Sequence, residues 1–159
     1  MKKLKKYSPI DIAYKFIDLG ISNNKPLKQI KLNKLLYITH GLYLAKYNES
    51  LFNEQPIAKP FGPLFKSVSD KFAIVGNSDF DYLNVLLFHI KLKFNSYPEN
   101  LESFLLDIYY NTRNLNEIQL LNFTNDINGA WHTMYVQNKF DRIIPDEQII
   151  NEFKKYIIN

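Results

Sequence analysis

Residues 28–47, KQIKLNKLLYITHGLYLAKY, decide the fold. At helical spacing Leu32, Leu35, Leu36, Thr39 and Tyr43 share one face. Ile38, Leu42 and Ala45 broaden that face, and Tyr37 and Leu44 lie on the far side. A helix that is apolar most of the way round is buried among others rather than laid on a surface. Its first turns carry Lys28, Lys31 and Lys34, with Asn33 between them. Three-residue steps drift by about 60° each, so these lysines form a spiral rather than one stripe.

Outward from this segment the chain reads as helices that a central helix can organise. On the N-terminal side, Ser8 can cap and Pro9 suits a first helical position; Ile10, Ala13, Tyr14 and Ile17 follow at helical spacing. Gly20 is expected to end that helix in a left-handed conformation. On the C-terminal side, Leu51, Phe52 and residues 56–61 read as short extended pieces, and Gly62-Pro63 as a break from which Pro63 opens a helix. Phe88, Ile90, Leu92 and Phe94 alternate with His89, Lys91, Lys93 and Asn95, the period of a half-buried strand. Pro98 opens a helix with Leu101, Phe104, Leu105, Ile108 and Tyr109 on one side, and Asn114 is expected to cap a shorter one. Another short helix starts at Ala130-Trp131, and a last one after Pro145 buries Ile149, Ile150, Phe153, Tyr156 and Ile157. The expected class is mainly α (α+β): six or seven helices packed around a buried central one, with a small antiparallel β element.

Composition agrees with one domain over 1–159. A chain of 159 residues buries roughly 70% of the surface its unfolded form exposes. Hydrophobic residues are 46% and charged residues 23%, which excludes a disordered chain. No apolar run approaches the roughly 20 residues that cross a bilayer. Ser8, Pro9 and Asp11 interrupt any secretory apolar region, so a cytoplasmic location is expected. With no cysteine, thiol catalysis and cysteine-bound zinc are excluded. Much of the +4 net charge comes from Lys2, Lys3, Lys5 and Lys6, which makes residues 1–7 a flexible basic arm.

No catalytic constellation is visible. His40, His89 and His132 are never four residues apart, and none has a carboxylate at ligand spacing, so no metal or cofactor is expected. Phosphate-loop and nucleophile-elbow patterns are absent. Asp79 and Asp81 read as a loop and a cap. For nucleic acid, Lys28, Lys31 and Lys34 offer a basic edge, and Tyr7, Tyr14 and Tyr37 could stack bases. A recognition helix must be exposed, however, and this one reads as buried.

From Lys31 onward the chain resembles the Panacea antitoxin domain, also described as SocA-like or GepA-like. Lys31-Leu32-Asn33-Lys34-Leu35-Leu36-Tyr37 is similar to its KLxKLLY segment. Leu51-Phe52 with Pro56-Ile57-Ala58 resembles "PLF…IEA", and Phe61-Gly62-Pro63-Leu64 resembles "YGPV". Leu121-Asn122-Phe123-Thr124 followed by Ala130-Trp131 resembles "LSxLTHxxxPW". The order is that of the family. There are departures: Lys59 stands at a position often held by Trp, Leu64 for Val, Asn125 for His and Ala130 for Pro.

The resemblance implies a stand-alone binding protein rather than an enzyme. It implies an antitoxin that neutralises a cognate toxin by direct protein–protein binding, with presentation of the toxin to a cellular protease as a second mode. Many members carry an N-terminal DNA-binding module, and none is expected here. The alternative reading is a nucleic-acid-binding accessory protein of phage or mobile-element origin. Leu32, Leu35, Leu36, Gly62, Pro63, Thr124 and Trp131 are expected to be structural, with Trp131 anchoring the last helices on the central one. Lys28, Lys31, Lys34 and Tyr37 are the expected partner contacts.

Overall fold

The computed structural model describes residues 4–138 and 142–157. Ser8 caps α1 (Pro9–Ser22), its hydroxyl oxygen accepting the Ile10 N–H at 3.2 Å. Gly20 does not end this helix. The chain reverses at Asn24, where φ is +53°, and Gly20 sits where a Cβ would come within 2.9 Å of the Lys25 carbonyl oxygen. Asn is among the few residues with a side chain that reach the left-handed region readily. Asn48 closes α2 (Gln29–Tyr47) the same way, at φ +52°.

A sheet of three short antiparallel strands follows: β1 (Ile57–Lys59), β2 (Gly62–Leu64) and β3 (Arg142–Ile143), in the order β2-β1-β3. Pro63 lies inside β2 opposite Ala58 and does not open a helix. β2 is an edge strand, where a residue without an N–H is tolerated. The helix begins three residues later, as α3 (Lys66–Lys71), and continues into a 3₁₀ turn, Ala73–Val75.

The expected strand at Phe88, Ile90, Leu92 and Phe94 does not form. Asp81 caps a short helix, α4 (Tyr82–Leu87), its carboxylate accepting the Asn84 N–H at 2.7 Å. Residues 90–97 then run without regular secondary structure. Their alternation survives as burial only as far as Lys93, with Ile90 and Leu92 packed on the core and Lys91 and Lys93 exposed; Phe94, expected inward, is exposed. What is missing is a neighbouring strand among the described residues, and without one no ladder exists.

After α5 (Glu99–Thr112), the cap of α6 (Glu117–Thr124) is Asn116 rather than Asn114. Asn116 and Gln119 exchange side-chain and backbone hydrogen bonds in a capping box. α7 (Ala130–Asn138) and α8 (Asp146–Phe153), with a 3₁₀ turn at Lys154–Tyr156, complete the chain. The described residues thus form eight α-helices, one more than the expected range, with a small antiparallel sheet.

α2 runs through the middle. At about 100° per residue, the stripe Leu32, Leu36, Tyr43 lies about 180° from the stripe Lys34, Ile38, Gly41. Leu32, Leu35 and Leu36 join Ile12, Phe16 and Phe72 in one apolar cluster. Tyr37, Ile38 and Leu44 join Leu120, Ile149 and Phe153 in a second. Gly41 lets α8 approach closely, since a Cβ there would lie 2.4 Å from the Phe153 ring. Tyr7 is tied to the chain beyond α2: its N–H donates to the Leu51 carbonyl at 2.8 Å, and the Asn53 N–H donates to the Tyr7 carbonyl at 2.9 Å. Lys2 and Lys3 lie outside the described residues.

Candidate functional site

Lys34 faces α6 and is only 4% exposed. Its ammonium donates to Thr124 Oγ1 at 3.3 Å, its one hydrogen bond among the described residues. Burial pushes its pKa down, and Glu117 partly restores it. The Thr124 hydroxyl lies 2.9 Å from Asn125 Oδ1 and 3.2 Å from the Leu120 carbonyl. Asn125 in turn donates from Nδ2 to the Phe61 carbonyl at 3.2 Å, at the β1–β2 turn. Gly62, next in the chain, has φ +124°, and a Cβ there would stand 2.5 Å from Asn125 Oδ1. Only glycine meets both demands. Lys34, Thr124, Asn125 and Gly62 therefore form one chain of contacts that fixes the hairpin tip against α2 and α6.

A second buried chain runs beside it. Tyr37 is fully buried and donates to Glu152 Oε2 at 2.9 Å. The same oxygen accepts the Ala130 N–H at 3.1 Å, at the start of α7. Burial raises the Glu152 pKa against the pull of these two donors, and burial with the Glu152 charge raises that of Tyr37 well above its ordinary value. Trp131 Nε1 donates to the Lys59 carbonyl at 2.7 Å, and its ring stacks on Tyr135 at 5.3 Å. Trp131 ties α7 to β1 by this bond, where an anchor on α2 was expected.

Above these buried groups lies an apolar, basic face. Phe61 is 88% exposed although its backbone carbonyl is held by Asn125. Ile118 and Leu121 project from the outer side of α6. Lys28 and Lys31 line a shallow depression of about 480 Å³ with Asp79, Glu117 and Ile118. Lys28 is exposed. Lys31 is half-buried, and its ammonium donates to the carbonyls of Arg113 at 3.0 Å and Leu115 at 2.8 Å. Burial lowers the Lys31 pKa and Lys25 lowers it further, against the pull of Glu117.

The four expected contact residues thus occupy different depths. Only Lys28 is exposed, its backbone bridging to Asp79; Lys31 supports the end of α5, and Lys34 and Tyr37 are internal. An internal side chain touches a partner only if the helix is uncovered. Tyr14 is buried as well, which leaves no row of tyrosines for stacking on bases. Among the described residues no group of three or more His, Asp and Glu could hold a metal. His40 is fully buried between Phe52 and Phe65, and its Nε2 lies 3.6 Å from Asp146 Oδ1, too far for a hydrogen bond.

Sequence reasoning missed Glu152 and the exposure of Phe61. Glu152 had a signal: it falls between Ile149 and Phe153 on the buried face of the last helix, where an acid must find partners. Phe61 had none, because exposure at a turn is a tertiary property.

The fold and this cluster define a mainly helical domain in which the motif residues Lys34, Gly62 and Thr124 meet in one buried polar seam. The chain belongs to the family described as antitoxin SocA-like, Panacea domain, whose model matches residues 32–132. No curated protein and no solved structure matches the chain. The family membership carries an antitoxin-like role in general. Two of the departures from the family pattern have structural content here. Asn125 bonds the hairpin, and Ala130 supplies an N–H to Glu152 that a proline could not.

Proposed function

We propose that this protein is an antitoxin acting in the cytoplasm, which neutralises its toxin by direct binding through the face formed by Phe61, Leu121, Ile118 and Lys28. The observation that carries this reading is the exposed Phe61 ring on a turn locked by Asn125 and Gly62. A large apolar side chain held rigidly in water loses little entropy on binding, which is what an interface anchor requires. Stable complexes bury about 1,200–2,000 Å² in total, and the α6 face with the hairpin tip offers a centre for such a contact. Net charge of +4 favours an acidic partner surface and faster encounter at low salt. No helix among the described residues is long and apolar enough to cross a membrane.

The test is co-expression with the protein encoded beside it, scored by growth. Phe61→Ser with Lys28→Glu should abolish rescue while the melting temperature stays close to that of the wild type, because both side chains are exposed. Full rescue by this double variant places the contact elsewhere. Rescue that needs an intact cellular protease replaces sequestration by the adaptor mode. Tight, steeply salt-dependent binding to duplex DNA without any toxin contact would favour the nucleic-acid reading.

A further inference from the structure

Residues 91–96 make no backbone hydrogen bond to any described residue. The segment is nevertheless held in place. The Ile90 N–H donates to the Val85 carbonyl at 2.9 Å at one end, and the Tyr97 hydroxyl donates to the Asp11 carbonyl at 3.2 Å at the other. Between these ties the chain runs without a turn or bend, with Ile90 and Leu92 directed to the core and Lys91, Lys93 and Phe94 to solvent. Phe94 is 77% exposed. The neighbouring α4 leaves Tyr82, Leu83, Leu86 and Leu87 exposed as well. The chain alternates inward and outward over 90–93, Phe94 departs from that alternation, and a tethered segment with free backbone donors and acceptors offers half of a β-ladder.

The charges around it select the other half. Lys91 and Lys93 flank the free backbone, and Lys5 and Lys6 line the depression at its far end with Asn95 and Ser96. Asp11 is the one acid in that depression. A second copy of this chain is a poor match. Antiparallel registers centred on Lys91, Leu92 or Lys93 that keep Leu92 inward set lysines directly opposite one another, which is destabilising. An acidic strand meets the same lysines with opposite charge.

We infer that residues 91–95 are a docking strand, completed into a sheet by an extended, acidic segment of a partner protein. This goes beyond the proposed antitoxin function, since the segment is remote in sequence from Phe61 and α6 and its occupant need not be a toxin.

The test uses the full chain and a short synthetic peptide alternating Glu and Val, followed by amide hydrogen exchange and backbone NMR shifts. The peptide should protect amides within 91–95, and the same peptide methylated at alternate backbone nitrogens should not. Lys91→Glu with Lys93→Glu should weaken the acidic peptide and strengthen a Lys–Val peptide, changing the preference by roughly tenfold through the cross-strand charge pairs. Both substitutions are exposed, and an unchanged melting temperature establishes that the fold is intact. Unprotected amides at saturating peptide would overturn the inference, as would equal binding of acidic and basic peptides. Concentration-dependent protection in the free protein would overturn it in favour of a second copy.

Discussion

On one side of α2, Leu32, Leu35 and Leu36 meet Phe16, Phe72 and Tyr109, and the contact is almost wholly hydrocarbon. On the other, Lys34, Tyr37 and Gly41 meet Thr124, Glu152 and Phe153, and polar groups are threaded through the packing. The first side needs volume: side chains of similar size can exchange there for less than about 1.5 kcal/mol. The second needs particular atoms, because each buried donor must meet its acceptor. The polar side is also where two loops are fixed, the hairpin tip by Asn125 and the start of α7 by Glu152 and Trp131. Both sides contribute stability, the apolar side through volume and the polar side through particular atoms, and the polar side also fixes the hairpin tip and the start of α7.

The largest expected effect lies at Trp131. Trp131→Ala should cost about 3–5 kcal/mol in chemical denaturation, as for other buried large aromatics. Trp131→Phe keeps most of the volume and isolates the bond to the Lys59 carbonyl, for which about 1–2 kcal/mol is expected. The matching change on the hydrocarbon side, Phe72→Leu, should cost less than about 1.5 kcal/mol. Were Trp131→Phe cheaper than Phe72→Leu, the contrast between atom-specific and volume-specific sides would fail.

An intermediate effect concerns His40, which sits where the two sides meet. Burial holds its pKa below the ordinary value, and Asp146 opposes the shift. The unfolded chain restores it to about 6.5. Below that pH the unfolded state binds the extra proton and the folded state does not, so stability is full above about 6.5 and falls as the pH drops. Glu152 has the opposite sign. Its raised pKa makes the folded state bind more protons above about 4.5, so its contribution falls as pH rises through the window above that value. The His40 contribution therefore lowers the melting temperature between pH 7.5 and 5.5, and the Glu152 contribution opposes that fall. The fall should be shallower in His40→Gln, whatever that variant's starting stability, and an unaltered slope would remove His40 as the titrating group.

The same contrast explains what the sequence made legible. Apolar spacing in residues 28–47 was enough to identify a central buried helix, because burial imprints a period on every turn. The Ser8 cap located the start of α1, and Pro145 that of α8, for the same reason: the chemistry is local. Pro63 misled, because its fixed φ suits a helix start and an edge strand equally, and the partner strand decides. Residues 88–94 misled more, since period two records which side chains face the core and not whether a second strand is present. The buried seam was half legible. Lys34 stands out as a charge in an apolar helix, whereas its partners Thr124 and Asn125 lie about ninety residues away, beyond the reach of any local rule.

The smallest effect is expected where the charge itself is removed. Lys34 holds a desolvated ammonium against a single hydroxyl, an arrangement whose desolvation cost rivals its attraction. Lys34→Met retains the length of the side chain and removes that charge, and Thr124 keeps the Leu120 carbonyl and Asn125 Oδ1 as partners. Stability should change by less than about 1 kcal/mol, in either direction. Thr124→Val is the counterpart: it leaves the ammonium without its acceptor and removes the hydroxyl that donates to Asn125 Oδ1, so a loss of about 1–3 kcal/mol is expected. The two substitutions touch one contact from opposite ends, and denaturation of both with the double variant measures their coupling. In the double variant no buried charge remains, so its stability should return most of the way to that of Lys34→Met. Should Lys34→Met instead cost as much as Thr124→Val, the ammonium is a net stabiliser of the polar side of α2.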